Sequence, residues 1–358
     1  FFNKVLVLIM HEIIELVEIS RYVGQRFDLV QAGGGNSSVK INGDLLVKAS
    51  GFLLSDMKID SGYSIVDNKS IIKILEDQSL LGVDKNIREK LITERVNKAT
   101  KSDSKASIEV FMHALFYKYT MHTHPLAVNA VLCSNNADNI VNDLFPNTLL
   151  IDYDTPGFSL AINLKRGYDK FLETSNTPPN VVFLKNHGLI VSADNTNDLL
   201  EIQEDIVNKL EGYLKIKLDK YKKTNKVSTI VNTVFDMQLV SYVSDDKILI
   251  DQIVNITGKP FFPDQLVYGG FQAIELKDEN DIDSVHRYKD QFFEYPKIII
   301  FDGNIFFVAE SLRKARDIED VLKAHIIIQS NADDLHLLDN SELAFLADWD
   351  AEKYRRTL

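Results

Sequence analysis

The side chains best suited to chemistry sit in Lys118-Tyr-Thr-Met-His122-Thr-His124-Pro125. Residues two apart on an extended strand share a face. The spacing therefore aims His122 and His124 one way and Thr123 the other, and Pro125, with no backbone N–H, marks the strand's end. Neutral imidazole is a common ligand for zinc and its neighbours, so a same-face pair at a strand end begins a metal site. The natural third imidazole is His187, in Lys185-Asn186-His187-Gly188, a tight turn between two apolar strand segments. Gly188 fits a hairpin there. A carboxylate comes from Ser107-Ile108-Glu109, with Ser107 as a helix N-cap and with Glu109 and His113 at i and i+4 on one helical face. That helix feeds into the histidine strand, which brings Glu109 near the metal as ligand or general base and leaves His113 structural. His11, His286, His325 and His336 lie in helical or loop settings without ligand spacing.

These groups need elements to carry them. A helical apolar pattern over residues 4–26 precedes Gly33-Gly-Gly35-Asn36-Ser37-Ser38. Glycines let a backbone approach a ligand closely, and Asn36, Ser37 and Ser38 add donors beside those N–H groups, a concavity suited to phosphate. Two strands follow, Ser38–Ile41 and Leu45–Lys48, joined by Asn42-Gly43, a strong hairpin signal. The second runs into Ala49-Ser50-Gly51, a small-residue turn that the hairpin returns towards the glycine loop. Residues 70–98 read as helix and connecting loop, and 126–132 as a buried helix. Leu149–Tyr153 and Asn180–Leu184 read as core strands. A long amphipathic helix is predicted over 198–221, with Leu199, Ile202, Ile206, Leu210 and Tyr213 along one stripe.

Lys222-Lys-Thr-Asn-Lys226 is the candidate linker, dividing the chain into domains 1–222 and 227–358. Beyond it, 262–270 reads as turn, strand and loop. Residues 297–308 read as a hairpin turning at Asp302-Gly303, and helices follow at about 312–330 and 341–355. This half holds no catalytic cluster, and the chain shows no internal repeat.

At 358 residues, 45% hydrophobic and 26% charged, the chain has the composition of a soluble globular protein with room for two domains. A net charge of -12 argues against a nucleic-acid surface. Cys133, the one cysteine, lies in an apolar run and reads as a buried thiol, consistent with a reducing compartment. The opening apolar stretch is broken by Lys4 and is too short to span a bilayer. The reading is a cytoplasmic protein with no membrane partner, whose first residue, Phe1, suggests that the true N-terminus precedes it.

Taken together, the motifs Gln31-Ala-Gly-Gly-Gly-Asn36-Ser-Ser-Val-Lys40, Val47-Lys-Ala-Ser50-Gly51, Ser107-Ile-Glu109, His122-Thr-His124-Pro125 and Asn186-His187-Gly188 resemble the class II aldolase/adducin family, in that family's order, over roughly residues 8 to 220. Residues 225–358 resemble the region beside the aldolase module in long rhamnulose-phosphate aldolase-like proteins. Some of those continue into a short-chain dehydrogenase domain, an activity not expected of a chain ending at Leu358. The resemblance implies an α/β fold, three-layer α/β/α around a mostly antiparallel sheet, with a smaller α/β C-terminal domain. It implies a homo-oligomer, commonly a tetramer, with active sites at subunit interfaces. His122, His124 and His187 would bind a divalent metal, zinc above all, and Glu109 would be the acid/base. Gly35, Asn36, Ser50, Gly51 and Ser107 would hold the phosphate of a sugar phosphate. One departure is Ile108, where sugar-phosphate aldolases of the family often carry a second serine, so one phosphate contact is missing.

The residues fit that chemistry on their own terms. Three histidines leave a coordination position open for substrate, as catalytic zinc sites do. The metal would act as a Lewis acid towards the enediolate left by carbon–carbon cleavage, with Glu109 moving the proton. The expected reaction is retro-aldol cleavage to dihydroxyacetone phosphate and an aldehyde. Pentulose-phosphate epimerases, a methylthioribulose-phosphate dehydratase and decarboxylases of the superfamily share the enediolate. Epimerases tend to carry Asp where this chain has Glu109, which favours aldolase or dehydratase. Adducin-type members are interaction modules that lack the metal histidines, all three of which are present here.

Overall fold

Asn42 and Gly43 both take positive φ, 51° and 90°, the paired left-handed geometry that matches strand twist and selects Asn-Gly. They turn β1 (Asn36–Ile41) back as antiparallel β2 (Asp44–Lys48), with Ile41 opposite Asp44. This hairpin belongs to the first of two units, Phe1–Leu218 and Asp219–Leu358, in a computed structural model that describes residues 2–256 and 260–348. Helix α1 (Phe2–Gly24) precedes the hairpin, and β3 (Tyr63–Asp67), α2 (Asn68–Glu76), α3 (Lys85–Ala99) and α4 (Val110–Ala114) follow it. Then come β4 (Tyr119–Thr123), α5 (Leu126–Leu132), α6 (Ala137–Leu144), β5 (Leu149–Ile151) and α7 (Phe158–Ser175). The hairpin β6 (Val181–Leu184) and β7 (Gly188–Ala193) and helix α8 (Thr196–Leu214) complete the unit.

Its strands form one sheet in the order β3-β2-β1-β4-β7-β6-β5. Every pairing is antiparallel except β5 with β6. The period-two alternation of strands sorts the side chains into two cores. Val39, Met121, Phe183, Leu189 and Val191 pack against Leu16, Ile19 and Val23 of α1 and Leu199, Ile206 and Leu210 of α8. On the opposite face, Leu45, Val47 and Val66 meet α2, α4 and α7 through Ile71, Phe111 and Phe158. Val182, Leu184 and Ile190 meet Met112 and Leu160 on that same side. The unit is a three-layer α/β/α sandwich around a mostly antiparallel sheet, as the resemblance implied.

The second unit contains α9 (Asp219–Phe235), β8 (Val240–Val243), α10 (Lys247–Asp251), α11 (Pro263–Gly269), β9 (Ile274–Leu276) and α12 (Ile282–Phe292). It continues through β10 (Ile298–Phe301), β11 (Asn304–Ala309), α13 (Leu312–Asn331) and α14 (Asn340–Asp348). Its sheet runs β8-β11-β10-β9. Asp302 and Gly303 make the β10–β11 turn with φ of 48° and 68°.

Five expectations need correction. Helix α8 stops at Leu214 rather than at 221, because Lys215 takes a left-handed φ of 56°. Lys222–Lys226 is no linker but the second turn of α9: Tyr221, Thr224, Asn225, Val227 and Ser228 are buried at helical spacing across the lysine cluster. The division falls just before it, between Leu218 and Asp219. Residues 263–269 form helix, not strand, since Phe262 is extended, Pro263 opens the first turn and Gly270 follows the last. Cys133 is exposed, because α5 turns Ala127, Val128, Val131 and Leu132 inward and ends there. Finally, α4 begins at Val110 rather than at Ser107. Of the helix expected at 341–355, residues 349–355 lie outside the described residues. No helix among the described residues is long and apolar enough to cross a membrane.

Candidate active site

The register of β4 places His122 between Asn36 on β1 and Ile190 on β7. Tyr119 and Met121 of β4 belong to the α1–α8 core, so His122 projects towards α4. Thr123 points the other way and donates to Gln203 Oε1 on α8 at 3.1 Å. The strand ends there, and His124 is held just beyond it by its N–H on the Leu29 carbonyl at 2.9 Å. His187 stands in the β6–β7 turn, which is set by a left-handed Asn186 (φ 54°) rather than by Gly188. Gly188 is needed for closeness: a Cβ there would lie 2.3 Å from the Thr123 carbonyl oxygen and 2.8 Å from the His124 ring. Bare backbone at 188 is what lets the turn press against both β4 histidines.

The three rings converge. His122 Nε2 lies 3.0 Å from His124 Nε2 and 3.0 Å from His187 Nε2. His122 Nδ1 lies 3.0 Å from the Leu189 carbonyl, an acceptor that fixes the proton on Nδ1 and frees the Nε2 lone pair. Burial lowers the His122 pKa, and burial together with the neighbouring His122 and His187 takes His124 down to about 3. Buried lone pairs facing one another at this distance are the donor set of a cation, and the residues fit a divalent metal.

Glu109 Oε1 lies 3.6 Å from both His122 Nε2 and His187 Nε2. Burial opposes the charge on Glu109, yet the facing His122 and His187 hold its carboxyl below the usual range. Asn36 Nδ2 donates to Glu109 Oε2 at 3.4 Å, and Asn36 Oδ1 accepts the Ser37 N–H at 2.9 Å. Asn36 is therefore drawn to the carboxylate. Gly35, at φ 74°, leads the chain into β1 under Val30 and the His122 carbonyl. Ser50 and Gly51 lie in an exposed turn tied to the Ser107 segment by an Ala49–Ala106 bridge and by Ser50 N–H on the Lys105 carbonyl. Ser107 Oγ accepts the Glu109 N–H at 3.3 Å. Ile108, between them, is 59% exposed.

Several supporting residues escaped the sequence reading. Lys48 is buried and its pKa is lowered by burial, against the pull of Glu109. The only sequence signal for it was a lysine at the end of an apolar strand. Asn129 Nδ2 donates to the His187 carbonyl at 3.1 Å. Arg26, buried, pairs with Asp28 and Glu204, and this anchors the loop whose Asp28 and Leu29 carbonyls take the Leu126 and His124 N–H groups. Those partners are far apart in sequence and follow no motif.

The family described as Class II Aldolase and Adducin N-terminal domain matches residues 14–214, and the chain belongs to it. Among curated proteins it is similar to the uncharacterized oxidoreductase YuxG of Bacillus subtilis (strain 168), 26% identical over 220 residues. That match covers 58% of this chain and 30% of the relative, so the chain spans less than a third of that protein's length. Among solved structures it is similar to the N-terminal class II aldolase domain of a conserved protein from Thermoplasma acidophilum, with 24% identity and a TM-score of 0.47 over 56% of this chain and 92% of that one. YgbL from Klebsiella pneumoniae, described as a putative aldolase/epimerase/decarboxylase, aligns with 19% identity and a TM-score of 0.41 over 57% of this chain and 89% of that one.

Proposed function

We propose that this chain is a metal-dependent aldolase that cleaves a ketose 1-phosphate to dihydroxyacetone phosphate and an aldehyde, working as a homo-oligomer. The observation that carries the reading is the convergence of His122, His124 and His187 through Nε2, with Glu109 3.6 Å from two of them. The three imidazoles would hold a divalent metal, zinc by the character of the donors. When bound, the metal supplies Lewis-acid stabilisation of negative charge on the substrate's carbonyl and hydroxyl oxygens.

The chain's own groups do the rest. Gly35, Ser50, Gly51 and Ser107 hold the phosphate through backbone N–H and hydroxyl groups, and Asn36 orients Glu109. Glu109 starts as the carboxylate. In cleavage, the hydroxyl on the carbon beyond the breaking bond passes its proton, through water, to Glu109 and becomes the aldehyde carbonyl. The electron pair of the broken carbon–carbon bond passes into the enediolate. Glu109, now the acid, returns that proton to the enediolate carbon, which completes dihydroxyacetone phosphate.

The test is product analysis with a panel of ketose 1-phosphates and the metal-loaded protein. Dihydroxyacetone phosphate should appear, and Glu109→Gln should keep its metal while kcat falls by about 10²–10⁴-fold. An epimerised or dehydrated product, or no turnover of any panel member, would overturn the aldolase assignment.

A further inference from the structure

One side of β1 is polar where a core is expected to be apolar. Alternation sends Val39 and Ile41 into the α1 layer and leaves Asn36, Ser38 and Lys40 on the side of α4. Each of the three meets a different level of the segment that carries Glu109. Asn36 Nδ2 donates to Glu109 Oε2 at 3.4 Å. Ser38 Oγ lies 2.8 Å from His113 Nδ1, one helical turn on. Lys40 Nζ donates to the Phe116 carbonyl, just past the end of the helix.

Helix α4 has five residues, and Glu109 at its start has no side-chain cap. So short a helix does not hold itself in water. Its apolar side chains Val110, Phe111 and Ala114 seat it in the core, and the strand beneath adds the polar contacts that set its level; that strand also pairs Asn36 with His122. The polar rungs thus tie the carboxylate to the same strand pair as a metal-ligand candidate. Ser38 is 1% and His113 0% exposed. His113 Nε2 is buried without a hydrogen-bond partner, and its carrier spends burial on a single bond to Ser38. An apolar side chain would fill that space without desolvating a ring nitrogen. The bond therefore serves orientation rather than stability.

We propose that β1 is an alignment frame for α4 and that the Ser38–His113 pair is a positioning element for Glu109. This rests on the acid/base role of Glu109 proposed above. Misplacing a reacting group by about 1 Å costs on the order of 10² in rate, so a device that fixes the level of α4 acts on kcat rather than on affinity.

The experiment compares Ser38→Ala, His113→Phe and His113→Asn in the full chain, loaded with zinc for kinetics and with cobalt for spectroscopy. Asn can replace Nδ1 of the imidazole, so it is the conservative variant. Ser38→Ala and His113→Phe should each retain one metal per chain and keep KM within about twofold, while kcat falls about 10–100-fold. His113→Asn should recover most of that loss. The visible bands of the cobalt-loaded protein should move in Ser38→Ala in the direction given by Glu109→Gln, and should stay at the wild-type position in His113→Asn. Should His113→Phe fail to fold, Ser38→Ala decides. A Ser38→Ala protein with wild-type kcat and wild-type cobalt bands overturns the proposal. Should wild type cleave no ketose phosphate, the aldolase assignment falls alone, and the cobalt bands still decide whether Ser38 and His113 position Glu109.

Discussion

At the level of single residues, the site needs an absent Cβ at Gly188, where one would lie 2.3 Å from the Thr123 carbonyl oxygen. Gly188→Ala should cost about 1–3 kcal/mol of stability and weaken metal retention, read by thermal unfolding and metal analysis of the same sample. A substitution tolerated on both counts would mean the turn does not press on β4. The histidine pair is legible in the sequence, because a strand's period is two and Pro125 marks its end, whereas Gly188 reads there only as a turn glycine. Lys40 gives a pH signature. Burial lowers its pKa to about 8 from 10.5, against the pull of Asp194. Below pH 8 both folded and unfolded chains carry the proton and the burial cost stands in full. Between 8 and 10.5 the unfolded chain binds more proton than the native one, so this group makes stability rise with pH. Comparing Tm at pH 7.5 and pH 9.5 should show a rise in wild type, relative to Lys40→Met, and a parallel response in the two proteins would contradict it.

Among elements, turns were the most legible. Asn42-Gly43 and Asp302-Gly303 announce their hairpins, because few residues tolerate two successive positive φ values. Segments with two readings were misassigned. In sequence Pro263 reads as a turn residue, although it equally suits the first position of a helix, where a missing N–H costs nothing. The lysines at 222–226 read as a linker because they cluster. Lysine is a good helix former, and the buried stripe of α9 runs through that stretch. A proline distinguishes the two readings: Thr224→Pro should destabilise the protein by roughly 3 kcal/mol or more. A linker would absorb it with no change in the denaturation midpoint.

On the scale of the whole chain, the sheet order, the layers and the histidine centre all belong to the first unit, and its five motifs carried enough pattern to be read in advance. The boundary was displaced by a few residues, since nothing in the sequence marks Lys215 as left-handed. Lys215, Ile216 and Lys217 are exposed between α8 and α9, so limited trypsin treatment should cut there first and release two protease-resistant fragments. Early cleavage within either unit would argue against that division. The central claim is the three-histidine metal centre, and elemental analysis of purified wild type beside His187→Ala tests it most directly. About one zinc or similar divalent ion per chain, lost in the variant, is the expected result. No bound metal after reconstitution, or equal occupancy in His187→Ala, would contradict it.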